Sequence, residues 1–116
     1  MISKNRTDIT FANNKVVLDI SEYTTISVQV IGGSGTISLL GTNDPGDVTG
    51  STEGGPKDAA NFNAVQATNL STGATVTAIT GTNVFKIDPV AFKYLQIGDG
   101  STAAATKIIF FGTKPY

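Results

Sequence analysis

The chain has 116 residues, a formal net charge of −1 at pH 7, and neither cysteine nor histidine. This length suits one domain with its own core, and the missing residue types exclude disulfides, thiolate metal sites and the commonest general base. The basic residues are dispersed, so we expect no nucleic-acid partner. No apolar run approaches the roughly 18 residues of a membrane span. The charged start is not followed by an apolar segment, so we expect no signal peptide and no membrane partner.

Threonine, valine, isoleucine and glycine are abundant, and apolar positions repeat with period two, which indicates an all-β protein. In chain order, the clearest strand runs from Thr25 to Ile31 (TISVQVI), where apolar and polar residues alternate. The glycines between 32 and 35 predict a turn. The segment from Thr36 to Gly41 is then expected to return as the hairpin partner of this strand.

Further short strands are separated by turn residues at the spacing of a sandwich or barrel. We expect them at Thr10 to Ala12, Val16 to Ile20, Asn63 to Asn69, Thr75 to Thr80, Val84 to Ile87, Phe92 to Ile97 and Ala105 to Gly112. Together they predict a single antiparallel β-sandwich over 1–116 with about 7–9 short strands, of immunoglobulin-like or jelly-roll-like topology. Residues 1–12 are a candidate N-terminal arm.

The longest break is a loop over 42–61, rich in Gly, Pro, Asp and Thr. A loop of this length is either functional or disordered, and contact with a neighbouring subunit is its preferred function. Four of its acidic residues could bind calcium through carboxylate oxygens: Asp44, Asp47, Glu53 and Asp58. Their spacing matches no calcium motif, however, and turn formation explains Asp44 better, as it does Asp99. We therefore expect no metal and no cofactor.

Aromatic side chains could stack on a sugar. Tyr23 and Tyr94 are the best candidates for such a ligand site, because tryptophan is absent and the phenylalanines are expected in the core. No pair of carboxylates is placed in a recognisable pocket, so we expect no catalytic residues and no enzymatic activity.

The segment Ile108 to Phe111 (IIFF) has no alternation, so it places large apolar groups on both faces of a strand. One face can join the core. The other, with Ile109 and Phe111, needs a cover. Either the chain itself supplies it, through the long loop or the N-terminal segment, or another subunit does.

Several segments from Tyr23 onward resemble small β-sandwich structural proteins of tailed bacteriophages. The matching segments are YTTISVQV from Tyr23, GTISLLGTND from Gly35, FKID from Phe85, FKYLQI from Phe92 and IIFF from Ile108. The resemblance implies an immunoglobulin-like sandwich, a place on the virion as a decoration, head-fibre or tail-associated protein, and no enzymatic activity. It also implies assembly in the host cytoplasm.

These observations favour a structural protein that decorates or stabilises a capsid, or forms part of a head fibre or tail. Its expected partners are the major capsid protein or a tail protein, and its own copies in a homo-oligomer such as a trimer. The expected interface residues are Ile109, Phe111, Asp47, Glu53 and Asp58. The alternative is a carbohydrate-binding or host-adhesion module that uses the two tyrosines.

Overall fold

The structure, a computed structural model, describes residues 2–9, 11, 13–46 and 55–114. The described residues form eleven β-strands and one turn of 3-10 helix. The strands are β1 (Ile2–Ile9), β2 (Val16–Asp19), β3 (Thr25–Ile31), β4 (Thr36–Thr42), β5 (Asn63–Ala64), β6 (Ala67–Asn69), β7 (Thr75–Val76), β8 (Ala78–Thr80), β9 (Asn83–Ile87), β10 (Tyr94–Ile97) and β11 (Lys107–Lys114), and the 3-10 turn is Pro56–Asp58.

The strands form two antiparallel sheets. The six-stranded sheet has the order β1-β11-β3-β9-β6-β7. The five-stranded sheet has the order β2-β10-β4-β5, with β8 also paired to β4. The predicted all-β antiparallel sandwich is therefore confirmed.

The core lies between the two sheets, and alternation decides which residues enter it. In β3 the residues Ile26, Val28 and Val30 are fully buried, while the residues between them are only half-buried. They meet side chains from the opposite sheet such as Leu39 and Ile97. The core also contains an aromatic pair: the rings of Tyr23 and Phe110 pack edge to face with centroids 5.2 Å apart.

The strand count exceeds the expected 7–9 because two expected strands are each divided between the sheets. Residues 63–69 contain β5, which pairs with β4, and β6, which pairs with β9. Residues 75–80 contain β7 in the six-stranded sheet and β8 beside β4. Thus the chain crosses from one sheet to the other within each of these segments.

The predicted hairpin between β3 and β4 is wrong. β3 pairs with β9 and β11, whereas β4 pairs with β10 in the other sheet. The connection between them crosses the end of the sandwich, where Ser34 forms an isolated bridge with Ala104. A glycine-rich turn can connect two strands of one hairpin or lead from one sheet to the other, and period-two alternation does not identify the partner strand.

The N-terminal strand lies earlier than expected. β1 pairs antiparallel with β11, with Ile2 opposite Lys114. Phe11 lies outside any strand, and the neighbouring residues 10 and 12 lie outside the described residues. The sequence of β1, ISKNRTDI, has no apolar alternation to reveal a strand, but its polar character suits a sheet edge. Most of the candidate arm over 1–12 is thus paired along the chain's own sheet.

Candidate assembly surface

The outer faces of the two sheets differ in their exposure to solvent. All four residues of β10, in the five-stranded sheet, are buried. Tyr94 is only 2% exposed although it is not part of the core cluster between the sheets, and Gln96 is 7% exposed. The 3-10 turn Pro56–Asp58 contacts β2 on this side of the molecule. The 3-10 turn of the long loop therefore packs beside the β2 edge of the five-stranded sheet.

Hydrogen bonds fix the two ends of this loop to each other. The Thr42 hydroxyl donates to the Ala60 carbonyl over 2.7 Å and accepts from the Asp44 N–H over 3.0 Å. The Asp44 carboxylate accepts from the Gly46 N–H at 2.9 Å and from the Asn61 amide at 2.6 Å. Asp44 is thus a turn-forming residue, as predicted.

Asp99 has the same role in another turn. Its carboxylate accepts a hydrogen bond from the Ser101 N–H at 2.9 Å. Hydrogen bonds to the charged form lower the pKa of both aspartates below the usual 3.8. For Asp44 the largest cause is the Gly46 N–H and the next is the Asn61 amide. For Asp99 the Ser101 side chain comes first and the Ser101 N–H second.

This shift predicts a specific acid sensitivity. Because the pKa is lower in the folded state, the two carboxylates contribute stability above pH 3.8, and this contribution is lost as the pH falls through 3.8 toward the folded-state pKa. Replacing both Asp44 and Asp99 by Asn keeps an acceptor oxygen in each turn but removes the titration. We expect urea unfolding of the double variant to depend less on pH below 4 than that of the wild type. An unchanged acid slope would contradict this assignment.

The outer face of the six-stranded sheet has apolar side chains on both sides of the central strand β3. Ile109 of β11 lies opposite Gln29 of β3, which lies opposite Val84 of β9. Ile31 follows two residues beyond Gln29 on the same strand face. All four are half-buried, whereas the residues next to them in sequence, such as Phe85 and Phe110, are in the core.

Two more exposed apolar residues extend this row. Leu70 is 48% exposed, and its N–H donates to the Val84 carbonyl over 2.9 Å, which places it beside Val84 at the end of β6. Phe111 is 38% exposed and follows Ile109 on the same side of β11. Outside residues 2–9, these are the two large hydrophobic residues most open to solvent in the described part of the chain. We refer to Ile31, Leu70, Val84, Ile109 and Phe111 as the outer patch.

Polar residues border the outer patch. Lys107 lies opposite Ile31, and Lys86 lies opposite Ser27. Beyond Lys86, the Asp88 carboxylate accepts a hydrogen bond from the Thr25 hydroxyl at 3.0 Å. Lys86 and Asp88 also line a polar surface depression of about 220 Å³. The outer patch thus combines exposed apolar side chains with polar neighbours, as protein interfaces commonly do.

The structure divides the interface residues expected from the sequence. Ile109 and Phe111 belong to the outer patch. Asp58 ends the 3-10 turn that contacts β2 in the other sheet, so it does not share a surface with them. Asp47 and Glu53 lie outside the described residues. The interface role expected for each of these residues stays a prediction, and Asp58 would serve a different surface from Ile109 and Phe111.

The two tyrosines expected as a stacking surface are buried. Tyr23 is 7% exposed and packs against Phe110, and Tyr94 is 2% exposed beneath the covered face of β10. The ammonium of Lys93 lies 5.2 Å from the centroid of the Tyr94 ring. Neither ring offers a free face to a sugar, because each is already packed inside the protein. This corrects the ligand assignment of the alternative hypothesis.

Sequence reasoning missed Ile31, Leu70 and Val84. A usable signal existed for two of them, since Val30-Ile31 and Val84-Phe85 are adjacent apolar pairs that place one residue on each face of a strand. Leu70 follows the last residue of β6, and only the pairing of β6 with β9 brings it beside Val84.

Among the described residues, no three acidic side chains come together in a group that could hold a metal ion. The same residues contain no helix long and apolar enough to cross a membrane.

Comparison with known proteins gives a likeness of fold. No family model matches the chain, and no curated protein matches it in sequence. Among solved structures, the fold is similar to that of the SPBc2 prophage-derived protein YomS. The TM-score is 0.64 and the sequence identity is 8%, and the match covers 97% of this chain and 95% of that chain. At this identity the likeness concerns the fold, over almost the whole of both chains.

Proposed function

We propose that this chain is a non-enzymatic structural protein of a bacteriophage virion, which attaches to a neighbouring protein through the outer patch. The observation that carries the proposal is the difference between the two outer faces. The outer residues of β10 in the five-stranded sheet, Tyr94 and Gln96, are buried, while Leu70 and Phe111 are exposed on the six-stranded sheet. Burying such a patch against a partner is favourable because it removes apolar surface from water.

The setting on a virion is supported by the fold, which is similar to that of a prophage-derived protein over nearly the full length. The resemblance noted in the sequence points to the same setting. Within that setting, the outer patch suits attachment to the major capsid protein or to a tail or head-fibre protein. Its sheet platform supplies a rigid surface, so little ordering entropy is lost when it docks.

The test is the composition of particles from the phage that encodes this chain. Particles are purified on a density gradient and digested for quantitative mass spectrometry. The expected result is that this chain is present at a fixed ratio to the major capsid protein, while a phage enzyme from the same lysate is depleted. Presence only among unassembled proteins at the top of the gradient would contradict the proposal.

A further inference from the structure

Two adjoining surface depressions lie at one end of the sandwich. The larger has a volume of about 270 Å³. It is lined by residues from three loops: Ser21, Asn43, Val90, Ala91, Phe92 and Lys93. The smaller, of about 220 Å³, shares Ser21 with it and is completed by Asp19 and Glu22. All of these residues lie where β2 and β4 end or where β10 begins, and none of them belongs to the outer patch.

Hydrogen bonds hold the walls of these depressions together. The Ile20 N–H donates to the Lys93 carbonyl over 2.9 Å, and the Val90 N–H donates to the Thr24 carbonyl over 2.9 Å. The segment between β2 and β3 is thereby fixed to the segment before β10. The side-chain oxygen of Asn43 accepts from the Lys93 N–H over 2.9 Å, which links the loop after β4 to the same segment. A site that is already held in place loses little entropy when a ligand binds.

Phe92 forms an apolar wall whose position is fixed by a glycine. A Cβ at Gly41 would lie 2.8 Å from both Cδ2 and Cε2 of the Phe92 ring, so the ring rests directly on the backbone of β4. Phe92 is half-buried and packs against the core, and it also lines the larger depression beside Val90 and Ala91. The ring is therefore a rigid apolar surface that a ligand can contact without first ordering a side chain.

Polar groups with free hydrogen-bonding capacity line the same depressions. The Asn43 oxygen is occupied by the Lys93 N–H, and its NH₂ group has no partner among the described residues. The Lys93 ammonium lies near the Tyr94 ring and has no ion-pair partner within that part of the chain. Oδ1 of Asp19 accepts from the Ser21 N–H at 3.0 Å and from the Ser21 hydroxyl at 2.7 Å, which leaves Oδ2 as an acceptor. Donors, an acceptor and an apolar wall are thus brought together.

From this geometry we infer that the two depressions form a binding site for the pyranose ring of a sugar. Such a ring has an apolar C–H face, which packs on an aromatic ring, and hydroxyl groups at its edge that both donate and accept hydrogen bonds. Phe92 matches the first property, and the Asn43 NH₂ group with the Asp19 carboxylate matches the second.

Other small ligands fit these depressions less well. An anion would be repelled by the carboxylates of Asp19 and Glu22. A purely apolar ligand would leave the polar groups of Asn43 and Asp19 without partners. The larger depression is smaller than the roughly 300–1,000 Å³ of pockets that enclose a drug-sized molecule, so it accepts one ring, and further sugar units would extend into solvent.

Two-dimensional NMR of the purified protein tests the site. The probes are the methyl glycosides of glucose, galactose, mannose, rhamnose and N-acetylglucosamine, together with the disaccharides of glucose and of N-acetylglucosamine. We expect at least one of them to cause saturable shifts of the amide signals from residues 19–22, 43 and 90–93. Saturation by a methyl glycoside identifies a single sugar as sufficient, whereas saturation by a disaccharide alone identifies a ring within a longer glycan.

Asn43→Asp separates a binding role from a structural one. The aspartate keeps an oxygen for the Lys93 N–H but removes the NH₂ donor, so the variant should fold. Its affinity for the sugar should fall roughly threefold to tenfold, which is the net value of one hydrogen bond. Asn13→Asp is the matched control, because it makes the same chemical change at an exposed turn before β2, at the other end of that strand. It should bind like the wild type, and circular dichroism checks that both variants are folded.

No shifts with any of these sugars, shifts confined to other residues, or an unchanged affinity in Asn43→Asp would each overturn the inference. It goes beyond the proposed function and is tested separately from it. A chain that is present in particles but binds no sugar refutes the sugar site and leaves the proposed function standing. A chain that binds the sugar but is absent from particles does the reverse.

Discussion

Replacing Phe85 by alanine is expected to lower the free energy of unfolding by about 3–5 kcal/mol. Phe85 is fully buried in the middle of the six-stranded sheet, between Val28 on one neighbouring strand and Asn69 on the other. Its removal deletes buried apolar area and leaves a cavity that neighbours in two sheets cannot fill. Since a typical domain is stable by only about 5–15 kcal/mol, the loss is a large fraction of the total.

The control is the adjacent residue, Val84, whose side chain lies on the outer patch. Val84→Ala should cost less than about 1 kcal/mol when unfolding is measured at a concentration too low for self-association to contribute. Urea unfolding followed by far-ultraviolet circular dichroism measures both variants. An equal decrease in the free energy of unfolding for the two variants would mean that the outer face is covered, which would contradict the structure.

A second large effect is expected at Gly112, where alanine should destabilise the protein by about 1–3 kcal/mol. Gly112 lies in the interior of β11, and an added Cβ would lie 2.6 Å from Cδ1 of the Tyr23 ring. The ring would have to move and would lose its edge-to-face contact with Phe110. Replacing a glycine by alanine within a strand normally stabilises the protein by about 0.5–1 kcal/mol. A loss of stability in Gly112→Ala would therefore indicate a steric clash.

Gly55 provides the matched control. Among the described residues, an added Cβ there meets nothing within 4 Å, and its φ of −136° is accessible to alanine. Gly55→Ala should therefore be neutral or stabilising by about 0.4–1 kcal/mol. A double-mutant cycle with Tyr23→Ala identifies the cause, because the cost of Gly112→Ala should shrink once the ring is gone. An undiminished cost would show that the tyrosine ring is not the obstacle.

The fold was predictable where a strand has one solvent-facing and one buried face. The bounds of β3 follow from its sequence because TISVQVI alternates along its whole length, and the burial of its residues alternates in the same way. The same logic failed for β10, whose four residues are all buried. Its outer residues, Tyr94 and Gln96, are buried as well, and the sequence of a strand does not show that both of its faces are withdrawn from solvent.

The candidate site was predictable only in part, for a related reason. The run from Ile108 to Phe111 indicates apolar residues on both faces of one strand. The pairs Val30-Ile31 and Val84-Phe85 indicate the same for β3 and β9, but neither pair by itself identifies a site. Only the pairing order β11-β3-β9 makes them neighbours. Strand order depends on long-range contacts, and the glycine-rich turn after β3 does not determine it.

The most direct test of the central claim, that the outer patch is the attachment surface, is the amount of Leu70→Asp/Phe111→Asp variant that sediments with phage particles. Both residues are exposed, so the double variant should fold, and Thr102→Asp controls for added charge. Truncating a central contact of an interface typically costs at least about 2 kcal/mol, roughly a thirtyfold loss of affinity. We expect the particle-bound fraction of the folded variant to fall to less than about a tenth of the wild-type value. Wild-type incorporation of the variant would contradict it.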